Sequence, residues 1–347
     1  MPVKENFLIP QPNYSVPDTN ILSPQLNQDS IYSKSRLKEI IRRYTAPQTK
    51  RNFNCDVKYF LYWANIAYNS PKNFTKDMII HFIIQNFEGL NPEIEKKMLE
   101  SGVKQKPGPL QITTIEKRIR NFGIFLELND HPNVSKTPQV RMLIRRLRQN
   151  FRGYRKKNPI TKEILDSMVA TCNTNHPRDV RDKAILLFGW GSGGRRAHEI
   201  CDVKVENFWL QNNGDYICTL EKTKTGFNFK VPVCGRAAKA IKDWIEVLQR
   251  KAGPMFVRVE YSLNLSKTRL SKTGLFSMVK HRIKKAGYDP EYFSPTSLRS
   301  GFITEAGRQN MPILDVMQMT THKTMREMME YYRHGAIKNN VCSKLVG

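Results

Sequence analysis

Between Ser294 and Arg333 the sequence places an arginine, Arg299, a histidine, His322, and two adjacent phenols, Tyr331 and Tyr332. A guanidinium forks onto two phosphate oxygens, an imidazole holds or moves a proton, and a phenol oxygen can act as a nucleophile. Together these groups suit phosphoryl chemistry on an acidic polymer. Tyr331 and Tyr332 project about 100° apart around a helix, so they do not share a role. Met325, Met328, Met329 and Tyr332 fall at offsets of three, four and seven, which predicts a buried stripe. Tyr331 then lies at the margin of that stripe, with its hydroxyl available.

The elements that must carry these groups have their own signals. Ser294-Pro295 predicts a helix with Ser294 as N-cap and Pro295 in the first position, which puts Thr296 and Arg299 one turn apart. Thr324, with Glu327 three residues on, predicts a capping box ahead of the tyrosines. Upstream, an apolar helix over 182–190 leads into Gly191-Ser192-Gly193-Gly194-Arg195-Arg196-Ala197-His198-Glu199. The glycine cluster lacks the lysine and the preceding strand of a nucleotide-binding loop and reads as a turn that delivers an arginine. Residues 216–220 and 227–233 read as short strands joined around Thr225-Gly226. Further helices are predicted over 161–172 and 237–251.

Leu298-Arg299, the run 301–319, His322-Lys323-Thr324, and Tyr331 nine residues after the histidine resemble the C-terminal signature of the tyrosine recombinases, the phage-integrase and Cre-like family. Arg196, three residues before Glu199, is similar to the family's first arginine box, and that spacing selects it over Arg195. Lys224, in Glu221-Lys222-Thr223-Lys224-Thr225-Gly226, matches the lysine of the family's hairpin. The resemblance implies a catalytic set of Tyr331, Arg196, Arg299, His322 and Lys224. Tyr331 attacks a DNA phosphodiester, the arginines hold the non-bridging oxygens, His322 holds the phosphate or moves a proton, and Lys224 protonates the leaving oxygen. The product is a covalent phosphotyrosine, and the chemistry calls for no metal or cofactor. One position departs: Thr296 stands where the family usually has histidine and sometimes lysine. A threonine hydroxyl donates to a phosphate oxygen but is uncharged and a poor proton shuttle. The leading expectation is a site-specific recombinase or integrase. The alternatives are a catalytically impaired DNA-binding protein on the same scaffold and a type IB topoisomerase-like nicking enzyme.

Charge supports an acidic partner. The 347 residues carry 57 Lys and Arg against 31 Asp and Glu, a formal net charge of +26. Such an excess repels itself unless an acidic surface is near, and double-stranded DNA is the expected partner. No apolar run approaches the roughly 20 residues of a membrane span, and no signal peptide is visible, so an intracellular, DNA-associated protein is expected. The six cysteines are scattered without metal-ligand or redox spacing, and the histidines show no ligand pairing.

The expected fold class is mainly α with a small antiparallel sheet, in two domains that clamp DNA. Residues 1–32, rich in Pro, Asn, Gln and Ser, read as a disordered arm. Residues 33–150 read as a four- or five-helix bundle in the place of the family's core-binding domain, 151–160 as a basic linker, and 161–347 as the catalytic domain. The bundle's faces are Val57, Phe60, Leu61, Ala64 and Tyr68, then Ile112, Ile115, Ile119 and Phe122, with a third apolar segment over 74–87. In its last helix Val140, Leu143, Ile144, Leu147 and Phe151 form an apolar stripe, while Arg141, Arg145, Arg148 and Arg152 repeat on another face. The window 141–157 holds eight basic residues and no acidic one, so phosphate contact is expected there. A later helix opens at Ser271 and buries Leu275, Met278, Val279, Ile283 and Ala286. Its other face, Thr273, Ser277, Lys280 and Lys284, has the composition of a helix set in a major groove. The basic tail bears Val341, Leu345 and Val346. By resemblance it docks on a neighbour, giving a monomer in free solution and a homotetramer on DNA.

Overall fold

The computed structural model describes residue 39 and residues 43–150, 157–172, 176–221, 228–260, 262 and 264–337, without the side chains of Asn150 and Glu327. The expected arm 1–32, Phe151, Arg152, the turn with Lys224, and the apolar tail residues lie outside the described residues. The chain divides into two compact units, Met1–Tyr154 and Arg155–Gly347.

The first unit is a helical bundle. Its described helices are α1 (Pro47–Tyr68), α2 (Lys76–Glu88), α3 (Pro92–Glu100), α4 (Ile112–Leu128) and α5 (Pro138–Asn150). The core is aromatic: Phe60 stacks on Phe122 with ring centroids 3.8 Å apart, and Phe82 and Trp63 complete the cluster. All four predicted residues of α4 are buried. The α1 face differs from expectation, because Tyr59 and Trp63 are buried there while Tyr68 is 38% exposed. Both rings go inside because their polar ends find partners. Tyr59 Oη donates to Asn86 Oδ1 at 2.8 Å, and Trp63 Nε1 donates to Gln85 Oε1 at 2.9 Å.

The second unit is built around α7 (Pro177–Gly191), which starts five residues before the predicted 182 because Pro177 opens it and His176 Nδ1 caps the Arg178 N–H at 3.1 Å. Around it lie α6 (Lys162–Ala170), α8 (Ala197–Asp202), α9 (Gly235–Leu248), α10 (Lys272–Lys285), α11 (Thr296–Arg308), α12 (Ile313–Thr320) and α13 (Met325–Ala336). The fold is mainly α with small antiparallel sheets. β1 (Phe208–Leu210), β2 (Tyr216–Leu220) and β3 (Phe229–Val233) pair in that order, Phe208 opposite Cys218 and Cys218 opposite Val231. β4 (Val257–Val259) and β5 (Leu265–Arg269) form a second pair. Beneath α10, Arg282 is only 1% exposed and donates to Asp182 Oδ2, Asp179 and the Thr171 carbonyl oxygen, bolting α10 to α7.

The last helix sits closer to its neighbour than side chains would permit. A Cβ on Gly307 would lie 2.1 Å from the Tyr332 carbonyl oxygen, and one on Gly335 1.9 Å from that of Thr304. Backbone thus meets backbone between α11 and α13. This changes the predicted methionine stripe: Met328 is fully buried, Met329 and Tyr332 are half-buried, and Met325 is 43% exposed. The α13 start also differs, since Thr324 makes no side-chain cap.

Candidate active site

The glycine turn does two things. Gly193 and Gly194 have φ of +98° and +66°, left-handed values that glycine adopts without strain. A Cβ on Gly194 would fall 2.3 Å from Arg299 Cα, and one on Gly193 2.5 Å from the Met319 carbonyl oxygen. The bare backbone therefore lets the end of α7 touch both α11 and the end of α12. Arg196 follows and opens α8, its N–H donating to Glu199 Oε2 and its Nη1 to Glu199 Oε1, both at 2.9 Å. Nη1 also donates to Thr321 Oγ1 at 3.2 Å. Burial pushes the Glu199 carboxyl up, but Arg195 and the Arg196 N–H and guanidinium outweigh it and hold it below its usual range.

Arg299 reaches the same place from α11. Its Nη1 donates to the Gly194 carbonyl oxygen at 3.0 Å and its Nη2 to that of Thr320. Nη2 also lies 3.2 and 3.3 Å from the two ring nitrogens of His322. Thr320, fully buried at the end of α12, places Oγ1 2.7 Å from His322 Nδ1. Burial, then the charges of Arg299, Arg196 and Arg195, push the His322 pKa down to about 4. The imidazole is neutral at physiological pH. Arg196, Arg299 and His322, more than 120 residues apart at the extremes, thus converge on the Thr320–Thr321 turn.

The remaining predicted residues take varied places. Tyr331, on α13, packs half-buried against the small cluster of Ile303, Ala306, Val316 and Met328. Tyr332 donates its hydroxyl to the Met311 carbonyl oxygen at 2.5 Å, as suits a structural residue. Thr296 is exposed and is itself the first residue of α11. Ser294 is not the N-cap: Pro295 has helical φ and ψ of −55° and −29°, and the Ser294 carbonyl oxygen accepts the Ser297 N–H at 2.8 Å.

On the predicted DNA-facing helices, Arg141 and Arg145 are exposed on α5, as is Arg146 beside them. Arg148, exposed too, is ion-paired with Glu116. Thr273, Ser277 and Lys284 are exposed on α10. Lys280 is engaged instead, its Nζ 3.1 Å from Glu291 Oε1 and donating to the Pro290 carbonyl oxygen, so its charge is partly spent within the fold.

Two site residues escaped the sequence reading. Arg195 is fully buried and donates to the Gly193 carbonyl oxygen at 3.2 Å and to that of Met319, tying the glycine turn to the end of α12. The Arg-Arg doublet was the only signal, and it pointed to a choice rather than to two jobs. Thr320 gave no signal, since its role exists only once α12 has ended beside Arg299.

Comparison with known proteins places these features. The full chain is 23% identical to an integrase/recombinase XerD homolog from Selenomonas ruminantium, over 99% of this chain and 95% of that one. The fold is similar to the XerH site-specific recombinase bound to palindromic difH, post-cleavage complex, with a TM-score of 0.60 at 15% identity over 90% of this chain and 84% of that one. It is also similar to a lambda integrase dimer bound to a COC' core site, with a TM-score of 0.54 at 12% identity over 88% and 77%. Residues 158–338, which hold the glycine turn, both arginines, the histidine and the tyrosine, match the model of the phage integrase family, and the chain belongs to that family, the tyrosine recombinases.

Proposed function

We propose that this protein is a site-specific DNA recombinase that cuts and rejoins DNA through a covalent phosphotyrosine. The observation that carries the reading is the convergence of Arg196, Arg299 and His322 on one turn, in a chain of this family. Two guanidinium groups supply the charge that a phosphoryl transition state needs, in forked geometry, without calling on a metal ion. Tyr331 is the nucleophile, Lys224 protonates the leaving oxygen, and Thr296 contributes at most a neutral hydrogen bond to the phosphate. Arg141, Arg145 and Arg152 on the first unit, and Thr273, Ser277 and Lys284 on α10, contact double-stranded DNA. Relatives of similar fold are DNA-bound recombinases, which supports the partner. The protein works inside the cell, where its DNA is.

The test is a covalent adduct on a DNA site selected from a random pool. Wild type forms the adduct, Tyr331→Phe does not, and its DNA affinity stays within about twofold, because only the nucleophilic oxygen is removed. An adduct that persists in Tyr331→Phe and vanishes in Tyr332→Phe defeats the assignment. The protein is a monomer when free and assembles as a cyclic homotetramer on paired sites, residues 341–347 docking on the neighbouring copy. Native mass measurement on paired-site DNA tests this: deletion of 341–347 spares single-site binding and lowers cooperative filling, and equal cooperativity refutes the docking.

A further inference from the structure

Thr320 sits where it decides which nitrogen of His322 carries the proton. Its Oγ1 lies 2.7 Å from the Val316 carbonyl oxygen, 3.3 Å from that of Met317, and 2.7 Å from His322 Nδ1. A hydroxyl has one proton, and a carbonyl oxygen only accepts. If that proton went to Nδ1, the threonine and Val316 oxygens would face each other lone pair to lone pair at 2.7 Å. Thr320 is fully buried, so no bulk water relieves the clash. The arrangement that satisfies both contacts sends Oγ1–H to Val316 and Nδ1–H to Oγ1, leaving the ring's lone pair on Nε2. Arg299 does not choose between the tautomers, since its Nη2 lies 3.2 Å from Nδ1 and 3.3 Å from Nε2; with Nδ1 protonated, its hydrogen bond goes to Nε2.

We infer that Thr320 is a positioning residue that fixes His322 as the Nδ1–H tautomer, which makes His322 a proton acceptor through Nε2 rather than a hydrogen-bond donor to the phosphate. The inference deepens the recombinase reading and rests on it for the identity of the reaction. Thr296 offers no basic group at neutral pH, and on the recombinase reading Nε2 accepts the phenolic proton of Tyr331 once a bound phosphate has drawn Arg299 Nη2 away from it. As the bond from the Tyr331 oxygen to phosphorus forms, the bond from phosphorus to the departing deoxyribose oxygen breaks. The phenolic proton passes to Nε2, and the departing oxygen takes a proton from Lys224.

The charges around the ring make this acceptance conditional on DNA. Arg299 faces it from α11, Arg195 and Arg196 from the glycine turn, Lys323 is its exposed chain neighbour, and α12 supplies only the neutral Thr320. With three guanidinium groups near it and only Glu199 partly offsetting Arg195 and Arg196, the half-buried imidazole is a weak base. A phosphodiester bound by Arg196 and Arg299 offsets them and raises the basicity of Nε2 at the moment it is needed.

The experiment is nitrogen NMR of the full chain with 15N-labelled histidine at neutral pH, paired with single-turnover cleavage. Wild-type His322 shows a protonated Nδ1 and a bare Nε2. Thr320→Ser keeps that pattern and cleaves within about threefold of wild type. Thr320→Val, which keeps the shape and removes the hydroxyl, populates the Nε2–H tautomer and cleaves about 10-fold or more slowly at unchanged DNA affinity. Protonated Nε2 in wild type overturns the inference, as does Thr320→Val with tautomer and rate both unchanged. If Thr320→Val does not fold, the wild-type and Thr320→Ser spectra decide alone. Failure of wild type to form any adduct defeats the recombinase reading instead, a result the spectrum does not depend on.

Discussion

The guanidinium groups of the candidate site and those along α5 are chemically alike and are held in opposite ways. Arg299 is 7% exposed and Arg195 fully buried; Nη1 and Nη2 of Arg299 and Nη2 of Arg195 donate to backbone carbonyls, while Nε and Nη1 of Arg195 are buried without a hydrogen bond among the described residues. Arg141 and Arg145 stand exposed, and among the described residues neither has a carboxylate partner. A fixed charge in a dry place stabilises a transition state because it needs no reorganisation when the reaction occurs. A mobile charge in water instead contributes affinity, by releasing counterions from DNA. On the proposed reading, the contrast separates catalysis from binding within one basic protein.

The sharpest way to break the contrast is Arg299→Lys, which keeps the charge and removes the fork. If the site works by fixed geometry, single-turnover cleavage falls by about 10²–10³-fold while DNA affinity stays within about threefold. The gap left at the Gly194 and Thr320 carbonyls also lowers thermal stability, which a melting curve checks. A lysine variant that cleaves near the wild-type rate shows that net charge suffices and that forked geometry does not set the rate.

The sequence carried some of this and not the rest. The α4 face was legible because four apolar residues repeat at helical spacing and that face meets the core of the bundle. Trp63 and Tyr59 were passed over because each has a polar end, and only the fold reveals Gln85 and Asn86 waiting for it. The three-residue strands β1 and β4 are too short to show alternation. At the site, spacing to Glu199 selected Arg196 over Arg195, and in the structure Arg196 is the residue that opens α8 and pairs with Glu199. It could not show that Gly194 is glycine because Arg299 passes over it, since those two residues lie far apart in the chain. The methionine stripe is buried only in part for the same reason: Gly307 and Gly335 let backbones touch, and Met325 is left exposed.

A smaller effect sharpens the electrostatic side. The native chain holds His322 neutral down to about pH 4, whereas an unfolded chain takes up that proton near the ordinary histidine value. As pH falls from about 6.5 toward 4, the unfolded state binds the proton first, so stability present above that window is lost within it. His322 is half-buried, and after discounting for solvent screening the loss is about 1 kcal/mol. Urea midpoints at pH 7.5 and pH 5, compared between wild type and His322→Asn, isolate it from the carboxylates that titrate in both. Equal losses in the two proteins mean that burial and the arginines do not hold the imidazole neutral.

The smallest expected effect tests the exposed half of the comparison. Arg141, Arg145 and Arg148 share one face of α5, but Arg148 is paired with Glu116. A guanidinium that already has an anion must give it up, or share it, before it meets a phosphate, so its net release of counterions is smaller. Each full phosphate contact contributes about 0.9 to the slope of log affinity against log salt. Arg141→Ala and Arg145→Ala should therefore each flatten that slope by nearly this amount and weaken binding to all DNA sequences alike. Arg148→Ala should change the slope by less than half as much, and Glu116→Gln, by freeing Arg148, should steepen it. None of the four should alter the rate of cleavage once DNA is saturating, because these charges lie on a helix of the first unit and not on the turn that holds Arg196, Arg299 and His322. Salt titrations by fluorescence anisotropy give the slopes. Equal slopes for Arg148→Ala and Arg145→Ala would show that the Glu116 pair opens at no cost and that exposed arginines here are interchangeable.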